Sequence, residues 1–185
     1  DAILPSSESM KSVIPDSFIL YHPKDVVSGD FYWVYKDKEG LSYFTVGDCT
    51  GHGVSGAFMS IIGQTLLNEL VVNKGITEVN EILMQMRGYI IHYLSQKGET
   101  GEARDGMDIA LCKMDISQNK LSFAGAYNPL YRIRNGELSE FKGSRRPVGY
   151  FLGKGIPFNK EEVDVEKGDI LYIFSDGYAD QFGGP

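Results

Sequence analysis

The chain has 185 residues, 42% of them hydrophobic, a formal net charge of −7 and two cysteines. That length and apolar content suit one globular domain with a sizeable core, while the acidic balance, with no basic stripe to track a phosphate backbone, argues against nucleic acid as a partner. Two cysteines are too few for a disulfide framework or a four-sulfur zinc site, and no apolar stretch or leader pattern marks a membrane span or signal peptide, so the expectation is a soluble, cytoplasmic chain whose domain makes no membrane contact.

Residues 1–16 mix Pro, Ser and charge around Ile3, Leu4, Met10, Val13 and Ile14, which reads as a lead-in, a short helix or an extended segment, before a domain spanning 17–185. Three β-like runs follow, Ser17 to His22, Asp30 to Lys36 and Leu41 to Gly47, rich in Tyr, Phe, Val and Ile. From Ser55 the period changes. Phe58, Ile62, Leu66 and Leu70 recur every four residues and predict a helix that stops near Gly75, where glycine can take the left-handed position after a helix end. A second helix is predicted from an N-cap at Thr77 to Ser95, with Val79, Ile82, Leu83, Met86, Ile90 and Tyr93 on its apolar face. Ser95 to Gly106 is glycine-rich and charged and reads as a mobile surface loop. Strands are then predicted at Met107 to Met114, Lys120 to Ala126, Leu130 to Arg134, Glu137 to Phe141 and Ile170 to Phe174, with Asn135-Gly136 as a two-residue hairpin. Strands, a helix pair and more strands in hairpin order make an α+β sandwich rather than a βαβ alternation.

Asp30, Asp48, Asp108 and Asp176 each stand at the edge of an apolar β-like run. Carboxylates gathered in a partly dry cleft repel unless a cation neutralises them, and hard divalent ions favour such oxygen donors. Taken one at a time, an Asp beside Gly is most often a solvated turn residue. The run Gly47-Asp48-Cys49-Thr50-Gly51-His52-Gly53 says more, because a strand ends on an acid and a glycine-rich turn feeds directly into a helix. As a phosphate cradle for nucleotides it is weak, lacking the Lys and the spacing.

With these residues in view the sequence resembles the bacterial PPM-type, SpoIIE-like serine/threonine protein phosphatases. The matching pieces are Pro23 to Tyr32, Gly47 to Gly53, Gly106-Met107-Asp108-Ile109-Ala110 and Phe174-Ser175-Asp176-Gly177, with Ala124 to Pro129 and Arg146-Pro147-Val148-Gly149 in support. The resemblance implies an αββα sandwich of two antiparallel sheets flanked by helices, with two Mn²⁺ or Mg²⁺ ions at one end. It implies that Asp48 bridges the ions, that the main-chain carbonyl of Cys49 and the carboxylates of Asp30 and Asp176 complete the set, and that Asp108 binds one of them or a third. Two-metal hydrolysis places a water between ions ~3.5–4 Å apart, in line with the leaving oxygen. His52 is the candidate general acid, since imidazole exchanges protons near neutrality, although it follows Asp48 at a longer spacing than in the eukaryotic relatives. The Cys49 thiol has no basic partner in sequence and reads as a strand-end packing group. Arg145 and Arg146 read as a solvated turn rather than as a phosphate dock. The family pattern continues into a helix and a last strand with another metal aspartate, so the chain reads as a truncated piece; Asp180 is a poor substitute for that ligand. The implied partners are a phosphoserine or phosphothreonine protein of the anti-sigma-factor-antagonist type and an upstream sensor domain, with homodimerisation left open. Two other readings use the same residues: an inactive signalling module signalled through the helix pair 56–95, and a hydrolase of small phosphoesters.

Overall fold

The computed structural model describes residues 4–23, 26–97, 104–151 and 155–178. Helix α1 (Ser7–Val13) starts at Ser6, whose side chain accepts the Ser9 N–H, and is followed by strands β1 (Phe31–Lys36) and β2 (Ser42–Cys49). Helix α2 (Gly53–Leu67) runs without interruption into a π-helical turn, Asn68–Asn73, and α3 (Val79–Tyr93) follows. The rest is β: β3 (Gly106–Asp115), β4 (Lys120–Ala126), β5 (Leu130–Arg134), β6 (Glu137–Phe141), β7 (Val148–Gly149), β8 (Glu161–Asp164) and β9 (Ile170–Ile173), then a 3₁₀ turn at Asp176–Tyr178.

All strand pairs are antiparallel. One sheet runs β1-β2-β3-β4-β8, with β7 on the free end of β3, and a second runs β6-β5-β9. The two inner faces meet through Phe44, Ala110, Cys112, Leu121, Phe123, Leu130 and Val163, backed by Phe141, Leu171 and Ile173. The other face of the large sheet carries α2, the π turn and α3, which bury Leu67, Leu70, Ile82, Leu83, Met86 and Ile90 against Phe31, Ile109 and Leu111. Each such side chain removed from water contributes about 1.5–3 kcal/mol before entropy is counted. The architecture is therefore the α+β sandwich of antiparallel sheets that the resemblance implied, with helices over the larger sheet.

The run Gly53–Asn73 is 21 residues long with a mean hydropathy of 1.2, the length of a membrane span, contrary to the sequence expectation; half of it is buried against the sheet, as in a core helix. Its buried face overlaps the one the four-residue spacing indicated, with Leu66 and Leu70 buried and Ile62 packed against the core. Gly56, Met59, Gly63, Leu66 and Leu67 turn inward, whereas Phe58 is 63% exposed. The glycines decide this: the Phe31 ring fills the space at Gly63, where a Cβ would lie 2.8 Å from it, so the helix presses its smallest residues to the sheet. The left-handed residue at Gly75 is as predicted, with φ +66°. The N-cap of α3 is Glu78 rather than Thr77, and Tyr93 is exposed.

Ser17 to His22 is not a strand. Among the described residues no strand pairs with it, and Phe18 and Leu20 stand exposed, which shows how far β propensity depends on a partner. Strands β7 and β8 were not predicted. The first has two residues, and the second buries only Val163 among acidic neighbours. The loop expected at Ser95 to Gly106 falls partly outside the described residues, at 98–103, but its ends are anchored. Buried Gln96 donates to the Asp105 carbonyl at 2.6 Å and accepts from the Tyr150 N–H at 3.1 Å.

Candidate active site

The four aspartates meet at one end of the large sheet because register brings them there. Asp48 lies directly opposite Asp108 in the β2–β3 ladder, and Phe31, next to Asp30, lies opposite Gly47. Asp176 arrives from the second sheet, three residues beyond the end of β9. The carboxyl of Asp48 is hydrogen-bonded to those of both Asp30 and Asp176. Ser175 Oγ donates to Asp30 Oδ2 at 3.2 Å, and the Asp30 N–H is held by Ser28 Oγ at 3.0 Å.

Such crowding must show in the acidities. Burial, then the hydrogen bond to Asp176 and the charges of Asp30 and Asp176, push the Asp48 carboxyl up to about 8. Burial, with the Asp176 charge, raises Asp108 to about 6. Asp30 is also raised, by burial first, against the hydrogen bonds from Asp48 and Ser175 that lower it. Carboxyls crowded in this way favour their protonated forms unless a cation neutralises them. Among the described residues no three carboxylate, imidazole or thiol groups surround a common point at coordinating geometry; the aspartates close on one another in pairs through Asp48.

The backbone around them fits the same purpose. Gly29 lies so near the turn after β2 that a Cβ there would stand 2.9 Å from the Cys49 carbonyl oxygen, and one at Gly56 would stand 2.7 Å from the Gly51 carbonyl. Gly51, at φ +88°, makes the turn into α2. The donors thus brought together are carboxylates and main-chain carbonyls, the set that suits Mg²⁺ or Mn²⁺ rather than zinc or copper. The Cys49 thiol is buried, and burial followed by the Asp48 charge raises its pKa, so it is an inert packing group.

His52 follows the glycine turn after β2. It is the N-cap of α2, its ring is exposed and caps no N–H, and only its carbonyl is used, by Ser55 Oγ at 3.1 Å. Arg146 corrects the reading of a solvated turn: it is buried, lies 4.9 Å over the Phe158 ring and donates to the Pro157 carbonyl, while Arg145 is exposed.

Several supporting groups went unnoticed in the sequence. Thr50 closes the β2–β3 end, its N–H donating to the Gly106 carbonyl at 3.0 Å and its Oγ1 accepting the Gly106 N–H at 3.0 Å. Buried Arg87 of α3 donates to the Gly149 carbonyl at 3.0 Å and the Phe151 carbonyl at 3.3 Å, tying the helix to β7 and so to the strand that carries Asp108. The sequence signal for Arg87 was slight: one basic residue among the inward positions of an amphipathic helix.

An antiparallel sandwich with a carboxylate cluster at the end of its larger sheet, fed by a strand, a glycine turn and a helix, defines the PP2C class of protein phosphatase domain. The family model of stage II sporulation protein E (SpoIIE) matches residues 38–184, and the chain belongs to that family. It is similar to the SiaA PP2C domain of Pseudomonas aeruginosa, at 33% identity over the whole of this chain and 70% of that one, with a TM-score of 0.83. It is also 24% identical over 162 residues to the phosphoserine phosphatase RsbP of Bacillus subtilis, covering 86% of this chain and 38% of that protein. The PP2C phosphatase domain of SpoIIE from Bacillus subtilis shares the fold at a TM-score of 0.65 and 20% identity, over 83% of this chain and 41% of that one.

Proposed function

We propose that this domain hydrolyses phosphoserine or phosphothreonine on a regulatory protein, using two divalent cations, Mn²⁺ or Mg²⁺, held by its aspartates. The observation that carries the reading is Asp48, hydrogen-bonded to Asp30 and Asp176 at once and facing Asp108 across the ladder. Asp48 would bridge the two ions. Asp30, Asp176 and the carbonyl of Cys49 would complete the ligands, with Asp108 on one of them or on a third. Such ions supply charge neutralisation at the phosphoryl oxygens and an acidified water. The protein's own part is to hold the carboxylates ionised and apart, to keep the Cys49 carbonyl uncovered through Gly29, and to fix the Asp108 end through Thr50. His52 remains the candidate for protonating the leaving seryl oxygen, as an exposed residue at the start of α2.

The named activity of RsbP, a phosphoserine phosphatase, supports the substrate class. A sensor domain upstream is part of the proposal, since the chain spans only 38% of that relative's length. So is a reducing, cytoplasmic setting, supported by two buried free thiols. A second reading, a signalling module without turnover, would keep the same fold and aspartates and bind a partner without releasing phosphate.

Phosphate release from p-nitrophenyl phosphate and a phosphoserine peptide, with and without Mn²⁺, tests the two. Metal-dependent release that Asp48→Ala lowers by at least ~10²-fold supports the phosphatase, on the scale of removing a group that stabilises the transferring charge. Release that ignores metal, or survives Asp48→Ala, would rule it out; tight peptide binding without release would favour the module.

A further inference from the structure

Where Asp108 sits, the neighbour of β3 changes. Ile109 pairs with Ala126 of β4 and Met107 pairs with Val148 of β7, so the two pairings meet at Asp108, and Tyr127 is the residue at which β4 turns away. The departure is a three-residue turn: the Asn128 N–H donates to the Ala126 carbonyl at 2.7 Å across Tyr127, whose φ is +58°. A γ-turn of that hand is rare and strained. The turn is held rigidly, with the Tyr127 N–H on the Ser144 carbonyl at 2.9 Å and the Ser144 N–H on the Gly125 carbonyl at 2.8 Å.

The other described non-glycine residues of positive φ are Ser95, Asn119 and Asn135, short polar side chains of the kind that tolerate the conformation. Tyrosine does not, and Gly or Asn would form this turn at less cost. Nor does the core need the ring. Tyr127 is 45% exposed, belongs to neither apolar cluster, and its hydroxyl makes no hydrogen bond among the described residues. Backbone strain kept for a side chain that joins neither apolar cluster, one residue along from the strand position next to Asp108, is a mark of function.

We propose that the Tyr127 ring is a specificity-determining contact, forming a wall against the polypeptide on either side of the phosphorylated residue. A second exposed aromatic, Phe174, stands two residues before Asp176 and packs edge-on against Tyr131 at 5.1 Å, while Tyr127 follows the residue that pairs with Ile109, the neighbour of Asp108. A phosphopeptide, unlike a small aryl ester, extends far enough to use such a wall. The inference rests on the phosphatase reading and deepens it.

The test compares the parent with Tyr127→Asn, which keeps a residue tolerant of positive φ, and Tyr127→Phe, which keeps the ring. The quantity read is kcat/KM for a phosphoserine peptide divided by that for p-nitrophenyl phosphate in Mn²⁺. Loss of one aromatic contact should lower this ratio roughly tenfold in Tyr127→Asn, through KM for the peptide, and leave Tyr127→Phe near the parent. An unchanged ratio in Tyr127→Asn, or an equal fall in Tyr127→Phe, overturns the assignment. A parent that hydrolyses neither ester overturns the phosphatase reading instead. Fluorescence anisotropy of a labelled phosphopeptide in Mn²⁺ then decides the contact by itself: about tenfold weaker binding to Tyr127→Asn sustains it, and equal binding, or none to the parent, removes it.

Discussion

At Asp48 the conflict between site and stability is written into one side chain. A carboxyl raised to about 8 binds a proton more readily in the folded chain than in the unfolded one, where the value lies near ~3.9. Its contribution to metal-free stability is thus complete below pH ~4 and is lost as pH rises through about 8. Asp108, raised to about 6, acts in the same direction over the lower part of that window. The melting temperature of chelator-treated protein should therefore fall between pH 5 and 8, Asp48→Asn should flatten that slope, and Mn²⁺ should reverse most of the loss at pH 8. A metal-free melting temperature that climbs steadily over this range would show the carboxylates to be ionised and well separated. Asp169 behaves oppositely: the forked pair with Arg134, 2.7 and 2.8 Å, holds it down to about 2, so its contribution is present above pH ~4 and lost only as pH falls through about 2.

At the scale of elements, α3 serves the site from a distance. Arg87→Met removes two hydrogen bonds from a charged donor and leaves the carbonyls of Gly149 and Phe151 without it, which should cost about 2 kcal/mol and lower the melting temperature by ~4–8 °C. Gly88, the next residue, is exposed and has open space where a methyl group would stand, so Gly88→Ala should stabilise the same helix by ~0.5–1 kcal/mol. Opposite signs at adjacent positions, read by urea denaturation, would establish that the inward side of α3 clamps β7; equal small effects would not. The sequence revealed α3 by its period but not Arg87, because a basic residue in an amphipathic pattern reads as solvent-facing until the strand it ties is known. The aspartates were legible for the opposite reason: each stands at the edge of an apolar run, and ladder register alone then places Asp48 against Asp108. Tyr127 and the strand exchange at Asp108 had no local signal, since a γ-turn is a matter of backbone angles and of what lies beside it. Ser17 to His22 was misread because propensity speaks for residues and pairing belongs to neighbours.

For the whole molecule, the single tryptophan is a convenient witness. Trp33 on β1 is buried, and its indole N–H donates to Asn68 Oδ1 at 3.0 Å in the π turn, so it joins the sheet to the helical layer. Both apolar clusters share strands of the large sheet, which makes one cooperative unit the expected behaviour. Tryptophan emission and far-ultraviolet circular dichroism should then report one coincident urea transition; two separated midpoints would mean that the helices leave the sheet first. The carboxylate group itself depends on that unity, since three of its members come from the large sheet and Asp176 follows the last strand of the small one. A ribosome delivers these in order. Asp30, Asp48 and Asp108 emerge early and can be set side by side by β1, β2 and β3 alone, while β9 and Asp176 come more than sixty residues after Asp108. The nascent chain accordingly holds three of these carboxylates side by side before the fourth exists, and they are joined in one step when the small sheet closes.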